Sequence, residues 1–173
     1  YVYFMKKVFI TGASSGIGKA LALAYAKRGY SVGLTARRED ILQDVAQTCK
    51  KLGGTPFVYQ LDVQDAKKCK SIADQFMADA GGIDIAIANA GIGGDDGLFS
   101  GDSNQINTIL NTNILGVTNT LMPFIPAMKI QNRGALVCIS SVASFRGLSH
   151  HSAYSGSKVA VRNFCQGWGN ALH

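Results

Sequence analysis

The chain has 173 residues, of which 47% are apolar, and it carries 17 Lys and Arg against 11 Asp and Glu, a formal net charge of +6. This composition fits a single globular domain over residues 1–173 and excludes collagen-like, low-complexity and disordered chains. The basic residues are scattered along the chain without aromatic partners, so they indicate solvated helix faces and no nucleic-acid interface.

The order of apolar runs and glycine turns predicts alternating strands and helices. The apolar run over residues 1–10 is interrupted by Lys6 and Lys7, so it is typical of neither a signal peptide nor a membrane span. Met5 is a candidate natural start. Pro123 and Pro126 should bend the long helix near its end. The predicted elements are a strand over 8–11, a helix over 17–25, a strand over 31–36, a helix over 39–52, a strand over 55–61, a helix over 65–79, a strand over 83–88, a polar loop over 89–101, a long helix over 103–129, a strand over 135–139 and a helix from about 153 to the end.

Apolar strands such as 83–88 suit a parallel sheet that helices cover on both faces. Right-handed crossovers then predict an α/β, three-layer, doubly wound sheet of at least five strands in the order 3-2-1-4-5. Ligands of such sheets bind beyond the carboxyl ends of the strands, where the strand order reverses between the first and the fourth strand. No linker or repeat divides the chain, so we predict one domain.

A glycine-rich segment follows the first strand and opens the first helix. Its free backbone amides and the helix dipole favour an anion. Glycine lets the backbone approach a pyrophosphate closely, and Gly18 lets the helix approach the strand. A tight turn without a ligand is the alternative. The loop residues that we predict to bind a dinucleotide are Gly12, Ser14, Ser15, Gly16, Ile17 and Gly18.

Two other motifs overlap this loop, and we exclude both. Residues 12–16 match Gly-x-Ser-x-Gly, the nucleophile elbow of esterases, but an elbow on the first strand lacks the earlier strand and loop that supply an oxyanion amide. A nucleotide triphosphatase loop requires a glycine five residues before Gly18 and Ser or Thr after Lys19, where this chain has Ala13 and Ala20.

Two arginines follow the second strand, at the place where an acidic residue would hold the ribose hydroxyls of NAD(H). A guanidinium instead offers a planar fork that suits a 2′-phosphate. We therefore predict NADP(H) over NAD(H), bound first by Arg37 and second by Arg38. The alternative is that both arginines are solvated residues before the next helix.

Tyr154 and Lys158 lie four residues apart at the start of the last helix, so their side chains share one helical face. A cation beside a phenol stabilises the phenolate, which makes the phenol a better proton donor and acceptor near neutral pH. Ser141 follows the fifth strand, 13 residues before Tyr154, and can hydrogen-bond a carbonyl oxygen in the same crevice.

Together these motifs resemble the short-chain dehydrogenase/reductase family over practically the whole chain. Further matching motifs are Leu61-Asp62-Val63, Asn89-Ala90-Gly91 and Asn113. The resemblance implies a Rossmann fold and hydride transfer between nicotinamide and a small carbonyl or secondary alcohol.

The resemblance also implies roles for individual residues. Tyr154 is the general acid and base, Lys158 is its electrostatic partner and a ligand of the nicotinamide ribose, and Ser141 orients the substrate oxygen. Asn113 holds a water of the proton relay. The resemblance further implies that Asp62 and Val63 flank the adenine. It also implies that the cofactor cleft is lined by Asn89, Ala90 and Gly91.

Other expectations concern partners and environment. The resemblance implies a homodimer or homotetramer, and an apolar stripe on the last helix is either core or interface. The four cysteines lie far apart, so we expect reduced thiols and a cytoplasmic protein. His150 and His151 have no third ligand at zinc-like spacing, so we expect no metal. We also expect no membrane contact. The stripe consists of Val161, Phe164, Cys165 and Trp168.

Family members commonly continue beyond the tyrosine helix with two more strands, whereas this chain stops 15 residues after Lys158. We therefore expect the carboxy-terminal strands to be missing, and the substrate stays open. The alternative function is a non-catalytic or truncated dinucleotide-binding module, which would not need Tyr154 or Ser141.

Overall fold

The computed structural model describes residues 6–172, so the candidate start Met5 lies outside the described residues. Strands and helices alternate as predicted. The strands are β1 (Lys7–Thr11), β2 (Ser31–Ala36), β3 (Thr55–Gln60), β4 (Ile85–Ala88) and β5 (Ala135–Cys138). The helices are α1 (Gly16–Ala26), α2 (Glu39–Lys51), α3 (Ala66–Ala80), α4 (Asn104–Leu110), α5 (Gly116–Leu121), α6 (Ile125–Gln131) and α7 (Ser152–Leu172).

The five strands are parallel and lie in the order β3-β2-β1-β4-β5, which confirms the predicted topology. Val8 of β1 pairs with Val32 of β2 on one side and with Ile85 of β4 on the other. The strand order therefore reverses between β1 and β4, and a crevice opens beyond their carboxyl ends.

Each face of the sheet buries its own apolar cluster, because successive strand residues point to opposite faces. Val8 and Ile10 pack with α1 and α2 on one face, whereas Phe9 points to the other. The Phe9 ring lies 5.4 Å from the ring of Phe76 on α3 and 5.0 Å from that of Phe124. The result is the predicted three-layer arrangement, with helices on both sides of one sheet.

The long helix that the sequence predicts over 103–129 is divided in the structure. A π-helical turn, Asn111–Leu115, separates α4 from α5, and a 3₁₀ turn, Met122–Phe124, separates α5 from α6. Pro123 lies in the 3₁₀ turn and Pro126 in the first turn of α6, so the α-helix is interrupted where the two prolines were predicted to bend it: proline lacks the N–H that the helix ladder requires. The π turn was not predicted, because one wider turn barely changes the spacing of apolar residues.

The apolar stripe on α7 belongs largely to the core. Val161 is fully buried, and Trp168 packs against the same cluster as Phe9. Phe164 is half-buried and stacks on Trp168 at a centroid distance of 5.3 Å. In the described part of the chain, no helix combines the length and hydropathy that a membrane crossing requires.

Candidate active site

A cavity of about 510 Å³ lies at the carboxyl ends of β1 and β4. Most of the predicted site residues line it, although they come from segments far apart in the sequence. These are Gly12, Ser14, Ser15, Ile17, Arg37, Arg38, Asp62, Val63, Asn89, Ala90, Gly91, Tyr154 and Lys158. The predicted residues that do not line it are Gly16, Gly18, Asn113 and Ser141.

The glycine loop is held against the end of β4. Gly12 has a φ of +69°, and a Cβ there would lie 2.9 Å from Ala90 Cα. A Cβ on Gly18 would lie 2.3 Å from the carbonyl oxygen of Gly12, so Gly18 permits the close approach of α1. Asn89 Nδ2 donates to the carbonyl oxygens of Thr11 at 2.9 Å and Gly12 at 3.3 Å. The glycines and Asn89 thus shape the cavity where β1 and β4 end.

The two arginines after β2 have different contacts. Arg38 Nη2 donates to Ser14 Oγ in the glycine loop at 3.4 Å. The main-chain carbonyl of Arg37 accepts a hydrogen bond from Gln60 Nε2 at 3.0 Å. Both residues are exposed and line the cavity, but Arg38 is the one whose guanidinium lies at the loop.

Asp62 and Val63 follow β3 and line the same cavity. Asp62 Oδ1 accepts from the backbone N–H of Gln64 at 3.0 Å, which closes a local turn. The carbonyl of Val63 accepts from Asn119 Nδ2 at 2.9 Å, and a Cβ on Gly116 would lie 2.6 Å from Val63 Cγ2. The first residues of α5 therefore fix this wall.

Tyr154 and Lys158, from the first turns of α7, also line the cavity. Lys158 is only 6% exposed, and its Nζ lies 5.7 Å from the centre of the Tyr154 ring. Nζ donates to the carbonyl oxygen of Ile139, just after β5, at 2.9 Å. Burial lowers the pKa of the Lys158 ammonium below its ordinary value, although neighbouring Cys138 opposes the shift. The geometry places a buried amine beside a half-buried phenol.

Asn113 lies in the π turn and is fully buried. Its Oδ1 accepts from the backbone N–H of Ile92 at 2.8 Å, and its Nδ2 donates to Ile92 O at 2.8 Å and to Ser157 Oγ at 3.0 Å. Both amide protons are therefore bound by protein groups. The side chain acts here as a brace between the loop after β4 and α7.

The two serines after β5 differ in what they contact. Ser140 lines the cavity, and its Oγ donates to the main-chain carbonyl of Lys158 at 3.0 Å. Ser141 caps a 3₁₀ turn, where its Oγ accepts from the N–H of Ala143 at 3.1 Å. Because that bond uses Ser141 Oγ as an acceptor, its hydroxyl proton is available for another acceptor.

The loop between β5 and α7 carries both histidines on the surface. His150 has a φ of +59° and lies 3.5 Å from Asp95, and His151 Nδ1 lies 2.6 Å from the carbonyl oxygen of Gly94. Phe145 of this loop is 78% exposed, with the Arg162 guanidinium 4.8 Å above its ring. The histidines therefore contact the loop after β4.

Several residues of the site were missed in the sequence. Ser157 joins Asn113 to the main-chain carbonyl of Tyr154, to which its Oγ donates at 2.7 Å. Its place between Tyr154 and Lys158 was the available clue. The other cavity-lining residues that were not predicted are Thr35, Ala36, Leu61, Ile92, Gly93, Thr112, Ile139 and Ser140.

Comparison with known proteins agrees with this geometry. A family model described as short chain dehydrogenase matches residues 6–173. An uncharacterized oxidoreductase of Myxococcus xanthus is 38% identical over 161 residues, which cover 93% of this chain and 64% of that protein. The chain thus spans less than two thirds of this relative.

Two solved structures are also similar. An alcohol dehydrogenase from the archaeon Thermococcus sibiricus, in complex with 5-hydroxy-NADP, has 31% identity and a TM-score of 0.90 over 97% of this chain and 72% of its own. A xylitol dehydrogenase with bound NAD+ has 27% identity and a TM-score of 0.92 over 98% of this chain and 66% of its own. The chain therefore belongs to the short-chain dehydrogenase/reductase family, whose members are oxidoreductases that bind a nicotinamide dinucleotide.

Proposed function

We propose that this chain carries the cofactor site and the proton-transfer group of an oxidoreductase that moves a hydride between NADP(H) and a carbonyl or secondary alcohol. The observation that carries the proposal is that Tyr154 and Lys158, a buried amine beside a phenol, line the same cavity as the glycine loop. A dinucleotide in that cavity would contact both the glycine loop and this pair.

The residues present fit such a cofactor. A Cβ on Gly91 would lie 3.2 Å from Asn113 Oδ1 and 3.5 Å from Lys158 Nζ, and a Cβ on Gly93 would lie 3.5 Å from the Tyr154 ring. The two glycines thus keep the space beside Tyr154 and Lys158 open. The exposed guanidinium of Arg38 at the glycine loop supports the binding of a 2′-phosphate, and hence of NADP(H).

The chain's own residues supply positioning and proton transfer. The cofactor, when bound, supplies or accepts the hydride. Tyr154 donates its phenolic proton to the substrate oxygen during reduction and takes it back during oxidation. Ser141 follows β5 beside the cavity-lining Ser140 and does not itself line the cavity in this structure; we assign to it the donation of its free hydroxyl proton to the same oxygen, which would stabilise the negative charge that develops there. Lys158 stabilises the phenolate electrostatically, because its amine is held close to the ring and away from water.

The experiment is a panel of aldehydes and ketones with NADPH, in which oxidation of the cofactor is followed by absorbance. We expect Tyr154→Phe to lower kcat by about 10²- to 10⁴-fold, the usual contribution of a general acid, with little change in cofactor affinity. Tyr30→Phe is the control, since it removes a phenol that does not line the cavity. Unchanged turnover of Tyr154→Phe contradicts the mechanism, and cofactor binding without turnover across the panel favours a non-catalytic module.

A further inference from the structure

A buried carboxylate joins the loop after β4 to the start of α7. Asp96 is 1% exposed, and its side chain accepts hydrogen bonds from the backbone N–H and the hydroxyl of Ser152. It also accepts from the backbone N–H of Ala153 at 3.2 Å, and its own N–H donates to the carbonyl of His150 at 2.8 Å. Asp96 and Ser152 are 56 residues apart in the sequence, so this contact ties two distant segments together.

Asp96 performs the task that an N-cap residue performs in most helices. The first amides of a helix have no partner within the helix, and a side-chain oxygen usually accepts from them. The residue before α7 is His151, and its ring nitrogen contacts Gly94 instead. The carboxylate of Asp96 therefore supplies the cap from another loop, and its negative charge also suits the positive end of the helix dipole.

Tyr154 directly follows the two residues that Asp96 binds. The loop that carries Asp96 also carries Gly93, whose Cα faces the Tyr154 ring, and Ile92, which Asn113 binds through two hydrogen bonds. The same short loop thus contacts the first turn of α7 at one end and the tyrosine ring at the other.

We propose that Asp96 is a positioning residue for Tyr154, which holds the first turn of α7 so that the phenol stays between Gly93 and Lys158. This inference rests on the proposed function, in which Tyr154 transfers the proton. Asp96 does not line the cavity, so it acts on Tyr154 through the helix that it caps.

Asp96→Asn tests the inference, with Asp95→Asn as the matched control. Asparagine keeps the size of the side chain but replaces one of the two acceptor oxygens with an NH₂ group, so its one remaining oxygen cannot occupy both acceptor positions that bind the amides of Ser152 and Ala153. Asp95 has a side chain that is 62% exposed, and it contacts Gly97 and His150. The two variants therefore remove the same formal charge, but only Asp96→Asn removes hydrogen bonds of the cap.

We expect Asp96→Asn to lower kcat by up to about 10²-fold, the effect of a displacement near 1 Å, while KM for the carbonyl and Kd for NADPH stay within about twofold of the wild type. Amide hydrogen exchange of the cofactor-free protein should accelerate in residues 150–158 and not in α1 or α2. Asp95→Asn should match the wild type in both measurements. If Asp96→Asn does not fold, Ser152→Ala removes one bond of the cap and should give a smaller loss of kcat in the same direction.

The two measurements separate this inference from the proposed function. The positioning role would be overturned if a folded Asp96→Asn protein kept both the wild-type kcat and the wild-type exchange rates. Where that variant does not fold, the same result in Ser152→Ala would overturn it. Either result leaves the oxidoreductase proposal intact. If the wild type itself turns over no carbonyl, the proposed function fails, and faster exchange confined to residues 150–158 still supports the cap by Asp96.

Discussion

Replacement of Arg38 by leucine tests the choice of cofactor most directly. The guanidinium lies at the glycine loop, 3.4 Å from Ser14 Oγ, and no acidic residue stands at this position after β2. In the proposed complex Arg38 pairs with the 2′-phosphate, which NADPH has and NADH lacks. Arg38→Leu should therefore weaken NADPH binding and leave NADH binding nearly unchanged.

The size of the effect follows from the kind of bond that is lost. A hydrogen bond to a charged group contributes about 1.5 to 3 kcal/mol, which corresponds to about 10- to 150-fold in Kd. Arg38 is exposed, so screening by salt moves the expected loss toward the lower value at physiological ionic strength. The preference for NADPH should also decline as salt is added to the wild-type protein.

Fluorescence titration with NADPH and with NADH, at two salt concentrations, measures both constants. Arg37→Leu is the matched control, because it removes the neighbouring exposed guanidinium, which makes no hydrogen bond to the glycine loop among the described residues, whereas Arg38 does. Equal weakening of both cofactors by Arg38→Leu would refute a specific phosphate contact. A greater loss of NADPH affinity in Arg37→Leu than in Arg38→Leu would instead support the sequence-based prediction that Arg37 is the main phosphate ligand. A wild-type preference for NADH would refute the NADP(H) assignment.

Three further predictions concern stability and reactivity. Gly18→Ala places a Cβ against the Gly12 carbonyl, which should cost about 1 to 3 kcal/mol of overpacking and lower the Tm by about 2 to 12 °C. Gly167→Ala is the contrasting variant: its helix position is open and exposed, so alanine should stabilise the fold by about 0.5 to 1 kcal/mol. Burial raises the pKa of Asp96, but hydrogen bonds from Ser152 and Ala153 lower it, and the net pKa lies below its ordinary value of 3.8. The charged carboxylate of Asp96 therefore stabilises the fold above pH 3.8, and this contribution is lost as pH falls through the lower pKa of the folded state. In denaturant titrations, the difference in unfolding free energy between the wild type and Asp96→Asn should shrink between about pH 5 and about pH 2. A constant difference would contradict this. Burial raises the pKa of the Cys69 thiol to about 11, so iodoacetamide at pH 8 should label Cys69 in the native protein far more slowly than after unfolding, as measured by peptide mass spectrometry.

The topology of the sheet and the place of its cavity were predictable from the sequence, because both follow from local patterns. Apolar runs, glycine turns and helical spacing identify each strand and helix, and the right-handed crossover rule limits their order. The pairing of Tyr154 with Lys158 was predictable for the same reason, since four residues make about one helical turn. The glycine loop was predictable from its position between β1 and α1.

Other features were decided by contacts between segments far apart in the chain. The π turn at Asn113 coincides with the bonds of that side chain to Ile92 and Ser157, neither of which is near it in sequence. Two adjacent arginines look alike in the sequence, and only the approach of the glycine loop to the end of β2 distinguishes them.

The sequence by itself therefore determined which side chains stand at the carboxyl edge of the sheet, because strand order and helical spacing are local rules. It did not determine how those side chains are held. The cap of α7 by Asp96 and the contact of Lys158 with Ile139 form only when the folded chain brings separate loops together. Tertiary structure decided the direction of each side chain, because hydrogen bonds across the cavity depend on distances that no short stretch of sequence encodes.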